Sequence, residues 1–314
     1  MGKIRYYRLP TERPNPRSRG LDHLSAVEIA RLMNRTDHAA VAAVGRAARG
    51  IGQAVDVIVA RLSRGGRLLF VGAGTSGRLG VLEAAECPPT FDTRPALVQA
   101  VIAGGRRAVF RSAEGAEDNA AEGARAIRRH ARRGDVVVGI AASGVTPFVR
   151  AALDAARRRK AATVLVTCNP RVSRRAARVV VALATGPEVL AGSTRLAAGT
   201  ATKLVLNTLT TASFARLGRV YGNRMVDLRP RSAKLRARAL RLVGEIGRVS
   251  EREAADLLAA ARDSAKLAIT MARLGLTPRE ARARLGRAGG SLRRALDDAI
   301  RAETLPPRRR RGER

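Results

Sequence analysis

An apolar run that ends in closely spaced glycines is the feature that most constrains what this chain can fold into. Leu68–Val71 is followed by glycines at positions 72, 74 and 77, and Thr75 and Ser76 lie between the last two. A short, continuous apolar run is typical of a strand that is buried on both faces of a parallel sheet. The free amides at the start of a following helix, together with the two hydroxyls, would suit an anion. The segment therefore predicts a strand, a sharp turn and a helix that bind an anionic group such as phosphate.

The glycine spacing also matches the G-x-G-x-x-G pattern of dinucleotide-binding folds. That pattern expects an acidic residue at the end of the next strand, where it holds a ribose hydroxyl. The next apolar run, Leu97–Ala103, ends instead in Gly104-Gly-Arg-Arg107. The two arginines could hold a 2′-phosphate, so NADP stays open as a ligand, but the missing carboxylate makes a dinucleotide the less favoured interpretation.

A second turn of the same kind follows the apolar run Val136–Ala142. It contains Ser143, Gly144 and Thr146 and leads into a helical pattern that starts at Pro147. Proline suits the first turn of a helix, because its missing N–H is no loss there. Ser143 could simply cap this helix. However, parallel sheets bind ligands at the carboxyl ends of their strands, so both turns should face one crevice, and together they predict a site for a sugar phosphate.

Apolar runs and helical patterns alternate through the middle of the chain, which favours a parallel sheet between layers of helices. We expect strands near Leu68–Gly72, Leu97–Ala103, Val136–Ala142, Ala162–Cys168 and Val179–Ala184. We expect helices near Leu24–Asn34, Ala39–Ser63, Gly77–Glu86, Glu117–Arg132, Pro147–Arg158, Val172–Ala177 and Ser193–Leu217. From about Ala233 onward the pattern is only helical, with capping boxes at Ser250–Glu253 and Thr277–Glu280.

The predicted fold class is therefore α/β, a parallel sheet flanked by helices, with a small all-helical module after it. We expect four parts along the chain. Residues 1–50 form an irregular segment and helices, residues 51–232 form the sheet domain, residues 233–300 form the helical module, and residues 301–314 form a basic tail. The tail is expected to be disordered because it is rich in Arg and Pro and has few apolar residues.

The formal net charge of +34, from 60 Lys and Arg against 26 Asp and Glu, first suggests nucleic acid as a partner. The arginines are scattered over nearly every predicted helix, and they are not interleaved with aromatic residues as in single-strand binders. The spacing of a helix-turn-helix or a zinc finger is also missing. We therefore expect no specific nucleic-acid partner, although the charge should attract anionic substrates.

The remaining composition excludes several classes of site. Cys87 and Cys168, and three separated histidines, lack the spacing of metal ligands or of a disulfide framework. We therefore expect no metal and no cofactor. Neither a stretch long and apolar enough to span a membrane nor a signal-peptide pattern is present, so we expect a cytoplasmic protein without a membrane partner.

Five segments of the chain together resemble the N-acetylmuramic acid 6-phosphate etherase family, whose members have the sugar isomerase (SIS) fold. The segments are Gly72–Gly80, Glu86–Phe91, Glu114–Asp118, Ala141–Gly144 and Tyr221–Asp227. The resemblance extends from Thr11 to about Leu296, nearly the whole chain, and Glu-Cys-Pro-Pro-Thr and Glu-Gly-Ala-Glu-Asp are its most specific parts. It implies an SIS domain at residues 51–232 and cleavage of the D-lactyl ether at C3 of N-acetylmuramate 6-phosphate. The products would be N-acetylglucosamine 6-phosphate and D-lactate.

The resemblance also implies particular site residues. Glu86 would be the catalytic acid and Glu117 the catalytic base. Once the sugar opens to an aldehyde at C1, one carboxylate removes the C2 proton and an acid helps the lactate oxygen to leave from C3. The residues expected to bind the substrate and its phosphate are Gly74, Thr75, Ser76, Ser143, Gly144, Thr146 and Arg195.

Less specific interpretations of the two glutamates stay open. Glu86 ends a predicted helix and could be a solvated surface group. Glu117 lies beside Glu114 and Asp118, and acids at a helix start ordinarily stabilise the helix dipole. Glu114 and Glu83 are the nearest rivals for the catalytic roles.

The chain departs from the family pattern at two positions. Val145 stands where the family usually has Arg, and Ala198 stands where it usually has Lys. Two cations near the anionic ligand are therefore missing. Amides and hydroxyls of the second turn would then hold the phosphate, with Arg195 or Arg78 as a source of positive charge.

The resemblance further implies a homodimer, because SIS domains commonly pair. Two other functions stay open: a sugar-phosphate-responsive regulator similar to the glucokinase regulatory protein, and a ketose–aldose isomerase of the same superfamily. The presence of both Glu86 and Glu117 favours the enzyme over the regulator, since a pure sensor needs no acid–base pair. The isomerase has no specific motif in this chain.

Overall fold

The computed structural model describes residue 7, residues 9–228, residue 230 and residues 232–297. Two compact units can be distinguished. The first comprises the residues up to Pro88 together with Arg94–Ser213, and the second comprises Pro89–Thr93 and the residues from Phe214 onward. The domain boundaries expected at residues 51 and 233 stay predictions. The basic tail expected at residues 301–314 lies outside the described residues.

The first unit is built on a five-stranded parallel sheet with the strand order β2-β1-β3-β4-β5. The strands are β1 (Leu68–Gly72), β2 (Val98–Ile102), β3 (Val136–Ile140), β4 (Ala162–Thr167) and β5 (Val179–Ala182). Every residue of β1, β3 and β4 is buried, as expected for a parallel sheet that is covered on both faces. The predicted fold class is confirmed, and each strand lies within the range predicted for it.

The register of the sheet brings three strand ends together. Gly72, the last residue of β1, pairs with Ile102 of β2 and with Ile140 of β3. The carboxyl ends of these adjacent strands therefore lie side by side at one edge of the sheet. Since the two glycine-containing turns follow β1 and β3 directly, the register places them next to each other.

Helices flank this sheet. They are α1 (Ala26–Arg46), α2 (Ala48–Leu62), α3 (Gly74–Phe91), α4 (Arg107–Phe110), α5 (Ala120–His130), α6 (Pro147–Arg158) and α7 (Ala197–Arg216). The bounds of α6 are those predicted from the sequence. Its buried residue Leu153 packs with Ile127 of α5 and Val137 of β3 in one apolar core, so α6 and the turn before it are fixed against the sheet.

The predicted break between the first two helices is wrong. The polar residues after Asn34 indicated a loop, but α1 continues to Arg46 and the break falls at Ala47. The hydroxyl of Thr36 donates to the carbonyl of Leu32 at 2.9 Å. A polar residue that satisfies its hydroxyl within the helix does not interrupt it.

Two further helix predictions are wrong in length. α3 begins at Gly74 rather than Gly77 and continues through Pro88 and Pro89. Buried Cys87 and Phe91 lie on either side of the prolines, and their packing holds the helix although the prolines lack amide donors. The helix predicted at residues 172–177 is only a short 3-10 turn, Arg174–Ala176.

In the described part of the second unit, helices pack around a separate apolar core. They are α8 (Ala233–Gly247), α9 (Glu251–Ala260), α10 (Ala265–Leu274) and α11 (Pro278–Arg287), preceded by a short antiparallel pair, β6 (Val220–Tyr221) and β7 (Arg224–Met225). Both predicted capping boxes, at Ser250 and Thr277, are present. Across the described ranges, no helix combines the length and apolar character needed to cross a membrane.

Lys266 connects α10 by hydrogen bonds to the segment before α8 and to the segment after α11. Its Nζ donates to Asp227 Oδ1 at 2.6 Å, to the Gly290 carbonyl at 2.7 Å and to the Gly218 carbonyl at 3.1 Å. All three ammonium N–H groups therefore have an acceptor. Burial lowers the pKa of Lys266 and raises the pKa of Asp227, while the attraction between the two charges acts in the opposite direction on each.

Candidate functional site

A cleft of about 480 Å³ lies at the carboxyl edge of the sheet in the first unit. Its walls include Gly74, Thr75 and Ser76 from the turn after β1, and Ser143 and Thr146 from the turn after β3. The prediction that both turns face one crevice is confirmed. The two turns thus contribute four hydroxyls and the N-termini of α3 and α6 to the cleft, which is the chemistry that suits a phosphate.

The turn after β1 is tight because two glycines touch. A Cβ built on Gly72 would lie 2.7 Å from the amide nitrogen of Gly77, and a Cβ on Gly77 would lie 2.8 Å from the carbonyl oxygen of Gly72. No larger residue fits either position without moving the backbone. This contact lets α3 begin directly after the strand, so that its first residues reach the cleft.

The turn after β3 is shaped by Gly144, which has φ +72°. A Cβ at this position would lie 2.8 Å from Thr167 Oγ1. The amide of Gly144 donates to the Ala141 carbonyl at 2.9 Å, so it is already engaged within the turn. Of the residues predicted here, Gly144 therefore contributes conformation, whereas Ser143 and Thr146 present hydroxyls to the cleft.

Glu117 lines the cleft from the 3-10 turn Ala116–Asp118. Partial burial raises the pKa of this carboxyl, and repulsion from Asp118, Glu114 and Glu12 raises it further. A carboxylate with a raised pKa is a stronger proton acceptor while it remains ionised. The position of Glu117 in the cleft and its raised pKa are therefore those of a group suited to proton transfer.

Glu12 is a site residue to which sequence reasoning assigned no role. It ends the 3-10 turn Pro10–Glu12 and lines the cleft beside Thr11, Gly192 and Thr194. The amide of Gly192 donates to the Thr11 carbonyl at 3.2 Å, which holds the N-terminal segment against the loop before α7. The only signal was that the resemblance begins at Thr11, and that signal did not say which residue reaches the site.

Glu86 and Arg195 are not among the residues that line the cleft. Glu86 is exposed on α3 and follows Gly74 by twelve residues, which places it about 18 Å along the helix from the cleft. Arg195 is also exposed, although its neighbour Thr194 lines the cleft. One copy of the chain therefore brings Glu117 and the two turns together without Glu86.

The two rival glutamates occupy different surroundings. Glu83 is buried and accepts hydrogen bonds from Asn207 Nδ2, at 2.5 Å, and from the Thr210 hydroxyl. Its two carboxylate oxygens are thus engaged with α7, which is a structural role. Glu114 accepts from Ser112 Oγ at 2.5 Å and lies outside the main cleft.

A second hollow of about 180 Å³ adjoins the cleft. It shares Ala73, Gly74 and Glu117 with the cleft and is otherwise lined by residues of α3 and of the loop after β2, including Arg78 and Glu114. Glu117 therefore stands at the wall between two spaces. Arg106 and Arg107, which could have held a 2′-phosphate, line neither space.

The two departures from the family pattern differ in their surroundings. Val145 is partly exposed in the second turn, where its amide donates to Ser143 Oγ at 3.2 Å. Ala198 is 1% exposed, and the amides of Ala197 and Ala198 each donate to the buried carboxylate of Glu188 at 2.9 Å. Burial raises the pKa of Glu188, and the two amide hydrogen bonds oppose that effect. The N-terminus of α7 is thus already capped by an internal carboxylate.

Among the described residues, no three or more His, Cys, Asp or Glu side chains are grouped so that they could hold a metal ion. Cys87 and Cys168 are free and buried. Burial raises the pKa of Cys87 to about 12 and that of Cys168 to about 11, so neither thiol is a ready nucleophile.

Comparison with known proteins identifies close relatives of the chain. The N-acetylmuramic acid 6-phosphate etherase of Synechocystis sp. is 50% identical over 293 residues, which cover 93% of this chain and 96% of the relative. The etherase of Trichodesmium erythraeum is 48% identical over 291 residues, covering 92% and 94%. The sequence model of the glucokinase regulatory protein N-terminal SIS domain matches residues 50–157. Among solved structures, phosphoheptose isomerase from Neisseria gonorrhoeae superposes with a TM-score of 0.43 at 19% identity, covering 60% of this chain and 97% of that one.

Proposed function

The chain belongs to the N-acetylmuramic acid 6-phosphate etherase family, and we propose that it cleaves the D-lactyl ether of N-acetylmuramate 6-phosphate to give N-acetylglucosamine 6-phosphate and D-lactate. It is a carbon–oxygen lyase of amino-sugar catabolism. The observation that carries this function is the 50% identity to a curated etherase over nearly the full length of both chains. The cleft, with four hydroxyls from its two turns and one carboxylate of raised pKa, is chemically suited to the substrate.

The phosphate of the substrate is proposed to bind at the two turns. Hydroxyls of Thr75, Ser76, Ser143 and Thr146 donate to its oxygens, and the N-termini of α3 and α6 add favourable partial charge. Neither Val145 nor Ala198 supplies a cation. Neutral donors and helix N-termini therefore carry the affinity for the phosphate.

The reaction starts from the open-chain sugar, in which the C1 aldehyde makes the C2 proton acidic. Glu117 accepts that proton, the C3–O bond breaks, and the lactate oxygen takes a proton from an acid. Water then adds across the double bond, placing OH on C3 and H on C2. The net change is hydrolysis of the ether, with no oxidant or reductant consumed.

The acid is proposed to be Glu86 from a second copy of the chain. Within one copy this side chain is exposed and lies about 18 Å along α3 from Gly74. It can therefore take part in catalysis only at the cleft of a second copy, in an assembly of the two. Leu82, one turn earlier on the same helix, is 48% exposed, and Val27 and Val41 of α1 are 58% and 50% exposed. Single exposed apolar residues are ordinary on a protein surface, so the proposal of a homodimer whose interface includes α3 rests on the position of Glu86.

The protein is further proposed to act in the cytoplasm. Its substrate is a phosphate ester, and a charged sugar phosphate does not cross a membrane unaided. Both described cysteines are free thiols, in keeping with a reducing compartment.

The function is tested by incubating the purified protein with N-acetylmuramate 6-phosphate in D₂O. Equal amounts of D-lactate and N-acetylglucosamine 6-phosphate are expected, and the sugar should carry deuterium at C2 because a solvent proton returns there. Tight binding of the sugar phosphate without any lactate release would contradict the enzyme and favour a regulatory protein. The regulatory alternative is not favoured, because the relatives that cover more than 90% of the chain are etherases.

A further inference from the structure

The hollow beside the cleft is lined by a cationic side chain that has no role in the proposed reaction as described so far. Arg78 lies one turn after Gly74 on α3, is partly buried, and is the one cationic side chain among the described residues that line this hollow. Its Nε donates to the Val109 carbonyl at 2.9 Å. This bond fixes the guanidinium at the wall, while no carboxylate in the described ranges forms an ion pair with it.

The substrate of the proposed reaction has two anionic groups on different sides of its reacting carbons. The phosphate is on C6, and the carboxylate belongs to the lactyl group on C3. C3 is bonded to C2, from which Glu117 takes the proton. A lactyl group must therefore project from a point next to the Glu117 carboxylate, away from the phosphate.

The structure has two adjoining spaces, the cleft and the hollow, that meet at Glu117. Glu117 and Gly74 form part of the wall shared by the cleft and the hollow. When the phosphate occupies the two turns and C2 lies at Glu117, the adjoining space is the hollow that contains Arg78. Its volume of about 180 Å³ offers room for a three-carbon acid.

We propose that the hollow is the subsite for the lactyl carboxylate and that Arg78 is the residue that recognises it. This inference rests on the proposed function and adds the source of its specificity. A guanidinium binds a carboxylate through two parallel hydrogen bonds, whereas the phosphate site consists of hydroxyls and helix termini. Arg78 thus distinguishes the lactyl ether from an amino sugar phosphate that lacks it.

Two acidic residues of the hollow make the positive charge of Arg78 necessary for binding the lactyl carboxylate. Glu114 and Glu117 also line the hollow, and their negative charges oppose the entry of another carboxylate. Without Arg78 the hollow would repel the lactyl group. Removal of the arginine should therefore weaken the binding of the substrate. The binding of the product N-acetylglucosamine 6-phosphate should stay unaffected, since that molecule has no lactyl group.

The experiment compares Arg78→Gln with Arg107→Gln, which removes the same charge from an exposed arginine at the start of α4, outside the hollow. Each change is made in a Glu117→Gln background, so that dissociation constants can be measured by calorimetry without turnover. Arg78→Gln is expected to raise the dissociation constant of N-acetylmuramate 6-phosphate by about 10- to 100-fold, the range for loss of a hydrogen bond to a charged group. The dissociation constant of N-acetylglucosamine 6-phosphate should stay within about twofold, and Arg107→Gln should change neither.

A second variant guards against a local folding defect. Ala113→Leu adds bulk to the wall of the hollow without touching the Arg78 charge, and it should produce the same selective loss. Arg78→Lys keeps the charge but not the paired donors, so part of the affinity should return. Equal weakening of both sugars by Arg78→Gln, or no weakening of either, would overturn the subsite. Failure of the unmodified protein to release D-lactate would instead contradict the proposed function, because the binding ratio does not depend on turnover.

Discussion

The hydroxyl oxygens of Ser143 and Thr146 lie 3.5 Å apart at the start of α6. The backbone between them is fixed by Gly144, whose positive φ and close approach to Thr167 admit no side chain. Two hydroxyls held this close, in front of a helix N-terminus, can donate to two oxygens of one phosphate. The turn is thus organised before any ligand arrives, which reduces the entropy lost on binding.

The variant Ser143→Ala/Thr146→Val should therefore raise KM for N-acetylmuramate 6-phosphate and Ki for N-acetylglucosamine 6-phosphate together. Each lost hydrogen bond to a charged phosphate corresponds to about 10- to 100-fold in affinity. Ser173→Ala is the matched control, because that hydroxyl caps a 3-10 turn away from the cleft. Unchanged inhibition by N-acetylglucosamine 6-phosphate would mean that the phosphate binds elsewhere.

The acidic limb of the pH–rate profile should report Glu117. Its pKa is raised above the ordinary value, first by burial and then by repulsion from Asp118 and two other carboxylates. A base must be ionised, so kcat/KM should fall as pH decreases through this raised pKa. Asp118→Asn removes a charge that disfavours the ionised form, and it should move the limb to lower pH.

Glu122→Gln provides the control for that shift. Glu122 is paired with Arg125 at 3.3 Å and is not among the groups that raise the pKa of Glu117, so the profile should stay in place. Glu117→Gln itself should abolish D-lactate release at every pH. A limb that moves upward in Asp118→Asn would contradict the assignment of the base.

The strands and the two turns could be predicted because their signals are local. A strand that is buried on both faces has an unbroken run of apolar residues, and each turn has glycines and hydroxyl residues directly after that run. The register that pairs Gly72 with Ile102 and Ile140 then follows from the parallel sheet. For this reason Thr75, Ser76, Ser143 and Thr146 could be placed in one crevice before the structure was known.

Features that depend on distant packing could not be predicted in this way. The break at Ala47 is not marked by a proline, and the nearby Gly45 and Gly50 lie inside the two helices, while the prolines of α3 give a false signal of a helix end. Glu12 reaches the cleft only through contacts with the loop before α7.

The stability of the second unit should depend on Lys266. Lys266→Met leaves the carboxylate of Asp227 without its closest cation and two carbonyls without a donor. Breaking a buried ion pair by removing one partner typically costs about 3–5 kcal/mol. Because Arg219 still pairs with Asp227 at 3.3 Å, the free energy of unfolding in urea should fall by less than this amount. Lys234→Met, at an exposed position of α8, should change it little.

A double variant separates the ion pair from general packing. Lys266→Met/Asp227→Leu removes both charges, so it should lose less stability than the sum of the single changes. Additive losses would show that the two charges are not coupled.

Mixing two inactive variants tests whether Glu86 acts across a dimer. If each cleft takes Glu117 from one copy and Glu86 from the other, Glu86→Gln and Glu117→Gln are both inactive, yet their heterodimer contains one intact site. Random exchange of subunits makes half of the dimers mixed, so about one quarter of the unmodified activity should return. Activity is measured as D-lactate release after the proteins are mixed, unfolded together and refolded. If both glutamates acted within one copy, no mixture could restore a site, and the absence of recovered activity in a refolded dimer would contradict the shared active site.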